Sequence, residues 1–232
     1  MFHDISKPSF RLLQMQPWFG ELVPAEQARI ADSAFTVAGA KGDVLLHAGE
    51  RVQGWYAVLS GLVKLQSSSS QGRRSAYLGI PDGEWFGEGA AMKREARRYD
   101  VIALRETELL CLPCAEFQRL RGTSLTFNQA LADQLNMRLG QAMAIIETMR
   151  LRTPEQRVAM YLGRLLWHGP RQLSLSQEEL GILAGLSRQT VNLVLKALAQ
   201  RGLVSLEFGR VSILDDQGLA DLATTPARGD TG

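Results

Sequence analysis

The feature that most constrains this fold is an ordered series of helix signals and turn residues towards the C-terminal end of the chain. Ser176 and Glu179 form a capping box, in which the serine hydroxyl accepts a hydrogen bond from the third helical amide and the glutamate accepts one from the cap amide. The helix that this box starts, Gln177 to Ala184, runs into Gly185, and glycine readily adopts the left-handed backbone of a sharp turn. The pattern therefore predicts a short helix followed by an abrupt change of direction.

A second helix is predicted directly after that turn. Ser187 is a second N-cap, and the helix that it opens runs to Gln200. The side chains expected on its buried stripe are Val191, Val194, Leu195 and Leu198. The polar side chains expected on its opposite side are Arg188, Gln189, Asn192 and Lys196. Two strand-like segments, residues 203–207 and 211–214, then flank the turn residues Phe208-Gly209-Arg210 and predict a hairpin.

A capped helix, a glycine turn, a second helix and a hairpin are the parts of a winged helix-turn-helix in their usual order. Arginine can pair bidentately with guanine, and glutamine or asparagine with adenine, so the polar start of the second helix suits the reading of base edges. We therefore predict double-stranded DNA as the partner and Ser187 to Gln200 as the recognition helix. Each part alone is common, and a helical hairpin without DNA contact is the alternative. The net charge of +2 is too small to decide between the two.

The first half of the chain has a different pattern. Between residues 36 and 112, short apolar stretches alternate with turn residues such as Lys41-Gly42-Asp43, Ser60-Gly61 and Pro81-Asp82-Gly83. Strands at this spacing predict an antiparallel barrel or sandwich. From Pro113 the pattern becomes helical, with a short helix over residues 115–121 and a long one over about residues 124–152.

Apolar residues on the long helix recur at alternating steps of four and three, with one polar member: Leu131, Leu135, Arg138, Ala142, Ile145 and Met149. A narrow stripe on a long helix is typical of a dimeric coiled coil, although a helix packed along its own domain gives the same pattern. Thr153-Pro154 then signals a new helix, predicted from Glu155 to His168 before Gly169-Pro170 ends it. These signals divide the chain into residues 1–123, the dimerisation helix 124–152, residues 153–222 and a disordered tail at 223–232.

Composition limits the cellular setting. No uncharged run approaches the ~20 residues of a membrane helix, and the N-terminus lacks the basic and apolar regions of a signal peptide. Two cysteines cannot build a disulfide framework, which agrees with a reducing compartment. We expect a cytoplasmic protein without a membrane partner.

With these motifs assembled, the chain resembles the CRP/FNR family of bacterial transcription regulators over nearly its whole length. The matching motifs are Lys41-Gly42-Asp43, Ser60-Gly61 and residues 83–88 in the first half, and Leu180-Gly181, residues 187–191 and Leu203-Val204 in the second. The resemblance implies an α+β chain with an N-terminal antiparallel, cyclic-nucleotide-binding-like β-roll, a long dimerisation helix and a C-terminal winged helix-turn-helix. It also implies a homodimer gated by a small ligand, a palindromic operator, and RNA polymerase as a partner of any activator.

The resemblance assigns individual DNA contacts. Arg188 takes the position of the family's guanine-reading arginine. Gln189 stands where the family often has glutamate; glutamate accepts from cytosine, whereas glutamine favours adenine. Leu193 replaces a later arginine and could contact a thymine methyl. Ser187 and Thr190 would bind phosphate. The predicted DNA-binding set is Ser187, Arg188, Gln189, Thr190, Asn192, Leu193 and Lys196.

The resemblance to a ligand site is less complete. In cyclic-AMP-binding members a Gly-Glu pair and a later Arg-Ser pair cradle the ligand; Gly87, Glu88 and Arg98 match, whereas Tyr99 replaces the serine. The Thr-Ser pair that contacts adenine falls on Ala142-Met143, whose side chains cannot hydrogen-bond a purine. The candidate effector residues are Gly87, Glu88, Arg98, Tyr99, Ala142 and Met143. The ligand can be a cyclic nucleotide, another anion or none, and a mutual Glu88–Arg98 ion pair in a roll that binds nothing is the alternative.

The remaining reactive groups do not predict an enzyme. Cys111 and Cys114 are too few for the four ligands of an iron–sulfur cluster, and packing is a commoner role for cysteine than redox switching. No βαβ unit surrounds the pair, which disfavours a thiol oxidoreductase. His3, His47 and His168 are scattered, so no metal or haem site is expected. A ligand- or redox-sensing protein that acts without specific DNA binding is the second hypothesis.

Overall fold

A computed structural model of the chain describes residues 7–68, 74–151, 153–167 and 171–224. Contacts divide the chain into two units, Met1–Asn136 and Met137–Gly232. Some predicted features lie outside the described residues: the helix end at Arg152, the segment from His168 to Pro170, His3, and residues 225–232 of the tail.

The first unit contains helices, then strands, then helices again. The elements in chain order are α1 (Lys7–Gln14), α2 (Pro17–Gly20), α3 (Pro24–Ser33), β1 (Phe35–Gly39), β2 (Val44–Leu46), β3 (Gly54–Ser60), β4 (Leu62–Ser68), β5 (Arg74–Pro81), β6 (Trp85–Phe86), α4 (Glu88–Lys93), β7 (Asp100–Ala103), β8 (Thr107–Pro113), α5 (Cys114–Thr123) and α6 (Leu125–Leu151). Proline at the first helical position starts both α2 and α3, because its fixed φ suits a helix and its missing N–H is not needed there.

The strands of the first unit form antiparallel sheets, as predicted. Within the described residues there are two sheets of four strands, with the orders β1-β8-β3-β6 and β2-β7-β4-β5. Tyr56 of β3 lies opposite Cys111 of β8, and Leu65 of β4 lies opposite Val101 of β7. The turn glycines predicted between strands include Gly61, whose φ of +108° is open to glycine and strained for other residues.

An aromatic cluster joins the helices of the first unit to its sheets. Trp18 of α2, Trp55 of β3 and Trp85 of β6 have ring centroids between 4.3 and 6.4 Å apart. Phe127, near the start of α6, packs edge-on against Trp18 at 5.1 Å. All four side chains are buried, and burial of one such side chain is worth roughly 2–3 kcal/mol. The cluster therefore fixes the first turns of α6 to this unit.

The apolar stripe on α6 differs in phase from the predicted seam. Leu131 is 3% exposed because it belongs to the aromatic core of the first unit, and the Met149 side chain lies outside the described ones. The exposed large apolar side chains that follow are Leu135, Leu139, Met143 and Ile146. Ala142 is exposed as predicted, whereas Arg138 and Ile145 are half-buried. The exposed apolar stripe therefore lies about one residue out of phase with the predicted seam, of which Leu131 belongs to the core while Leu135 and Ala142 are exposed.

The second unit continues from α6. Its further elements are α7 (Pro154–Leu162), β9 (Gln172–Leu173), α8 (Gln177–Ala184), α9 (Arg188–Gln200), β10 (Val204–Glu207), β11 (Arg210–Ile213) and α10 (Asp216–Thr224). The helix predicted as far as His168 ends earlier, at Leu162, because Gly163 leaves the helix in an extended conformation (φ −69°, ψ 161°). The start of α7 is as predicted, with Thr153 in a capping box with Gln156.

Two elements of the second unit have no counterpart in the sequence prediction. Strand β9 pairs with β11 and makes the hairpin a three-stranded sheet. Helix α10 reaches Thr224, so Ala223 and Thr224, the first two residues of the predicted tail, are helical. The helices share one apolar core, whose members at most 1% exposed are Val158, Ala159, Leu162, Leu180, Val191, Leu195, Leu198 and Leu219. None of the helices in the described ranges combines the length and hydropathy that a bilayer-spanning segment needs.

Candidate functional site

The turn between α8 and α9 is built by a capping box and two glycines. The Ser176 hydroxyl accepts a 3.2 Å hydrogen bond from the Glu179 amide, and a Glu179 carboxylate oxygen accepts a 2.7 Å bond from the Ser176 amide. Gly185 has a φ of +66°, as the sharp turn requires. A Cβ at Gly181 would lie 2.8 Å from the Leu186 carbonyl oxygen. Glycine at this position therefore lets the chain that enters α9 pass close to α8.

The start of α9 follows directly from this turn. Ser187 caps the helix by accepting a 3.1 Å hydrogen bond from the Thr190 amide, and the two hydroxyl oxygens lie 2.8 Å apart. The predicted buried stripe is confirmed: Val191, Val194, Leu195 and Leu198 are the buried residues of α9. The side opposite this stripe is the one that can meet a partner.

The seven residues predicted to contact DNA lie at the cap and along the first turns of α9. Ser187, Arg188, Gln189, Leu193 and Lys196 are exposed, and Thr190 and Asn192 are half-buried. The Asn192 side-chain oxygen accepts a 3.3 Å hydrogen bond from the Gln177 amide group, which ties this position to the start of α8. The structure therefore places the predicted set on the cap and first turns of α9, where five of the seven side chains are exposed.

The hairpin that forms the wing lies in the same unit. Glu207 of β10 stands opposite Arg210 of β11, and the turn between them is Phe208-Gly209, with φ +69° at the glycine. The added strand β9 pairs Leu173 with Val211 and so supports the base of the wing. Phe208 and Arg210 are exposed at its tip. Sequence reasoning predicted the hairpin and missed these two side chains, although an aromatic residue beside a turn glycine was a visible signal.

The candidate ligand cradle lies between β6 and β7 in the first unit. Gly87 has a φ of +88°, and Glu88, the first residue of α4, is buried. Arg97 is 4% exposed; its Nη1 lies 3.6 Å from the place of a Cβ on Gly87, and its guanidinium carbon lies 5.1 Å from the Tyr56 ring centroid. Nη1 is buried without a hydrogen-bond partner among the described residues. A buried positive donor of this kind is costly unless it meets an anion, so the cradle fits an anionic group.

Arg98, the arginine predicted for this cradle, lies on the surface instead. Its side chain is 73% exposed and its Nη2 lies 3.2 Å from a carboxylate oxygen of Glu95, so it pairs with Glu95 rather than with Glu88. The side chains of the two neighbouring arginines therefore lie in different environments. Arg97, rather than Arg98, becomes the candidate for binding an anionic ligand in the cradle. Tyr99, next along the chain, is half-buried.

Ala142 and Met143, the other candidate effector residues, lie in the second unit. Both are exposed on α6. Neither side chain carries a group that could donate to or accept from a purine edge. They lie on the same face of α6 as Leu139 and Ile146 and therefore belong to its exposed apolar stripe.

The two cysteines occupy sites that disfavour thiolate chemistry. Cys111 is fully buried, and burial raises the pKa of its thiol to about 12. Burial also raises the pKa of the Cys114 thiol, whose sulfur donates a 3.4 Å hydrogen bond to the Val52 carbonyl. Because the thiolate is the reactive form, neither group is activated as a nucleophile at neutral pH. In the described part of the chain, no group of His, Cys, Asp and Glu side chains is placed to hold a metal ion.

Comparisons with known proteins match both halves of this arrangement. Residues 37–124 match the cyclic nucleotide-binding domain family, and residues 156–222 match the Crp-like helix-turn-helix domain family. The Cyclic AMP receptor protein of Thermus thermophilus is 32% identical over 79% of this chain and 85% of its own length. The Transcriptional regulator SdrP of the same organism is 30% identical over 84% of this chain and 96% of its own.

Solved structures share the fold. FixK2 from Bradyrhizobium japonicum superposes with a TM-score of 0.68 at 20% identity, covering 84% of this chain and 99% of its own. At this identity the similarity shows the fold alone. The fold, the order of the two matched domains and the extent of the match to the Thermus thermophilus regulators together show that the chain belongs to the CRP/FNR family of transcription regulators.

Proposed function

We propose that this regulator acts as a homodimer that reads a palindromic DNA operator by placing the start of α9 in the major groove. The observation that carries the proposal is the exposed, Ser187-capped first turn of α9, which presents Arg188 and Gln189 outward while the opposite stripe is buried. Two such helices about 34 Å apart would enter successive major grooves on one side of the duplex.

Each residue on this face has a distinct proposed role. Arg188 donates two hydrogen bonds to guanine, and Gln189 pairs with adenine. Leu193, 68% exposed, meets the methyl group of a thymine, because an apolar side chain offers no hydrogen bond to a base. The remaining members of the set position the duplex or support those contacts: Ser187, Thr190, Asn192 and Lys196.

The dimer would form along α6. Leu135, Leu139, Met143 and Ile146 leave an apolar stripe exposed on one side of a 27-residue helix. A stripe of this kind on a long helix is buried when a second copy of the helix packs against it. This stripe, rather than the predicted seam through Arg138 and Ile145, is the proposed interface.

We propose an anionic ligand for the first unit, with a cyclic nucleotide as the leading candidate. Gly87 and the buried Arg97 support a phosphate at the cradle, and the Thermus thermophilus relative bears the name Cyclic AMP receptor protein. Ala142 and Met143 do not supply hydrogen bonds for a purine, so recognition of the base would differ from that in cyclic-AMP-binding members. Another small anion at Arg97 is the second candidate.

The remaining partners follow from DNA binding. A regulator of this family would work beside the chromosome in the cytoplasm, and an activator would contact RNA polymerase. Binding, rather than catalysis, is the proposed activity, and no residue is assigned a catalytic role. No haem or iron–sulfur cluster is assigned to the chain.

The test is selection of bound genomic fragments by the purified protein, with and without cyclic AMP, followed by affinity measurement on the selected operator. Arg188→Ala should abolish specific binding, because a bidentate pair to guanine is worth roughly 1–3 kcal/mol in each half-site. The variant should keep the dimer mass and the unfolding temperature of the wild type, since Arg188 is exposed. Operator affinity unchanged by the substitution would overturn the proposed role of α9.

A further inference from the structure

A cavity of about 510 Å³ lies within the second unit, between α6, α7 and α10. Its inner wall is apolar, since Ala159, Met160, Leu219 and Ala223 line it and each is at most 9% exposed. Small-molecule sites in proteins have volumes in this range and are lined mainly by apolar groups, with a few polar ones. The residues that line this cavity belong neither to the DNA-reading set nor to the ligand cradle of the first unit.

Small residues on all three helices leave the space open. Ala144 lines the cavity from α6, Ala159 from α7 and Ala220 from α10, and Gly163 lines it where α7 ends. Atoms that border an empty space lose packing contacts on that side. Apolar cavities of this kind stay dry and bind apolar molecules. An apolar ligand would therefore restore contacts that the three helices do not make with one another.

The polar side of the cavity carries two arginines and one carboxylate. Arg164 Nε lies 2.9 Å from one carboxylate oxygen of Asp216, and Arg171 Nη2 pairs with the other. The Arg164 side chain is 63% exposed, so its pair with Asp216 is weak. Arg171 is only 17% exposed and also donates to the Leu162 and Trp167 carbonyls, so Asp216 keeps a firmly held cation. Arg164 is therefore available to a second carboxylate.

We propose that this cavity binds a carboxylic acid with an aliphatic chain of medium length, of the fatty-acid class, with the chain inside the cavity and the carboxylate on Arg164. The inference goes beyond the proposed function and does not depend on DNA binding. The apolar wall selects the chain, and the excess of one positive charge among Arg164, Arg171 and Asp216 selects the acid over an uncharged molecule.

The end of the chain itself is a poorer occupant. Residues 225–232 follow Thr224, which lines the cavity, but Pro226 and Ala227 are the only apolar residues among them. These two side chains offer too little apolar surface to replace an aliphatic chain. Full-length protein with both residues changed to serine should therefore bind the acid with unchanged affinity. Tighter binding by that variant would show that the chain end competes for the cavity, and would overturn the inference.

The test measures the binding of decanoate to the full-length protein by isothermal titration. Binding should saturate at one molecule per chain. Each methylene removed from the acid should weaken binding about fourfold, because one less CH₂ group is buried. Uptake that does not saturate, as a detergent would give, would contradict a defined site.

Ala220→Phe tests whether the acid occupies this cavity. Ala220 is exposed, so a phenylalanine there should leave the helices intact in circular dichroism, while its ring fills the cavity and weakens decanoate binding at least about tenfold. The matched control is Gln200→Phe, which adds the same ring at an exposed position of α9 that does not line the cavity. It should bind decanoate as the wild type does. Wild-type affinity in Ala220→Phe would overturn the inference.

Arg164→Met tests the carboxylate separately from the chain. It should weaken decanoate binding about tenfold and leave the binding of decanol, which has the same chain without the charge, unchanged. Equal effects on the acid and the alcohol would contradict the role of Arg164. Arg97→Met and Arg188→Ala should both bind decanoate as the wild type does. If Arg97→Met loses it, the acid lies in the first unit and this inference fails, whereas a failure of Arg188→Ala to lose operator binding would affect the proposed function alone.

Discussion

Arg97 and Arg98 are adjacent in the chain and lie in opposite environments. Arg97 is buried over the Tyr56 ring, with a donor nitrogen near Gly87, whereas Arg98 forms an exposed ion pair with Glu95. An exposed pair of this kind is worth less than about 1 kcal/mol, and it leaves Arg98 facing solvent. The buried Arg97 guanidinium is different, because its Nη1 has no hydrogen-bond partner among the described residues and a bound anion would compensate the cost of desolvating it.

This contrast gives a prediction with an internal control. Arg97→Met should weaken the binding of cyclic AMP at least about tenfold, since it removes a charge-assisted contact to phosphate. Arg98→Met should change the affinity by less than about twofold. Isothermal titration of the full-length variants measures both. An equal loss of cyclic AMP affinity in the two variants would contradict the assignment of Arg97 to the ligand. If the wild type binds no cyclic AMP, another small anion becomes the candidate ligand.

At the scale of elements, α6 carries two different kinds of apolar residue. Phe127 and Leu131 belong to the core of the first unit, whereas Leu139, Met143 and Ile146 are exposed. A core residue is already removed from water by its own chain. Only the exposed residues would gain free energy from packing against a second copy of the helix. The helix is therefore anchored at its start and available for association further along.

The proposed dimer can be tested on that stripe. Leu139→Glu combined with Met143→Glu should convert the protein to a monomer, because each copy would then bring two unpaired carboxylates into an apolar interface. Asp133→Lys is the control, since Asp133 is exposed on another side of α6. Sedimentation equilibrium gives the mass of each variant, and far-ultraviolet circular dichroism checks that the helices remain. A dimer that survives the double substitution would rule out this interface.

At the scale of the whole molecule, the chain carries a cyclic nucleotide-binding domain and a Crp-like helix-turn-helix domain on one polypeptide. A ligand in one domain can change DNA affinity in the other only if it binds two states of the protein with different affinity. The coupling is then reciprocal, and couplings of this type amount to roughly 1–3 kcal/mol.

Linkage therefore makes a quantitative prediction. If cyclic AMP raises operator affinity by some factor, operator DNA should raise the affinity for cyclic AMP by the same factor. The check is titration of cyclic AMP into the free protein and into its operator complex. Arg188→Ala supplies the control, because the same DNA added to that variant should leave ligand affinity unchanged. Two unequal factors in the wild type would show that the titrations report a different process, such as a change in oligomeric state.

The helix-turn-helix could be read from the sequence almost residue by residue. Ser176 with Glu179, Gly185, and Ser187 with Thr190 all act on backbone groups within four residues of themselves. Such caps and turns need no partner from elsewhere in the chain, so the bounds of α8 and α9 follow from local chemistry. The antiparallel strands of the first half were predictable for the same reason, from turn residues and apolar spacing.

Tertiary structure decided the features that depend on distant neighbours. Whether Arg97 or Arg98 is buried depends on Gly87 and Tyr56, and the phase of the α6 stripe depends on the aromatic core that takes Leu131. Strand β9 forms only because β11 is there to pair with it. Sequence alone thus determined where α8 and α9 begin and end and where the chain turns between them, since those signals are local. It could not determine which side chains the assembled fold covers, because burial is a property of packing between segments far apart in the chain.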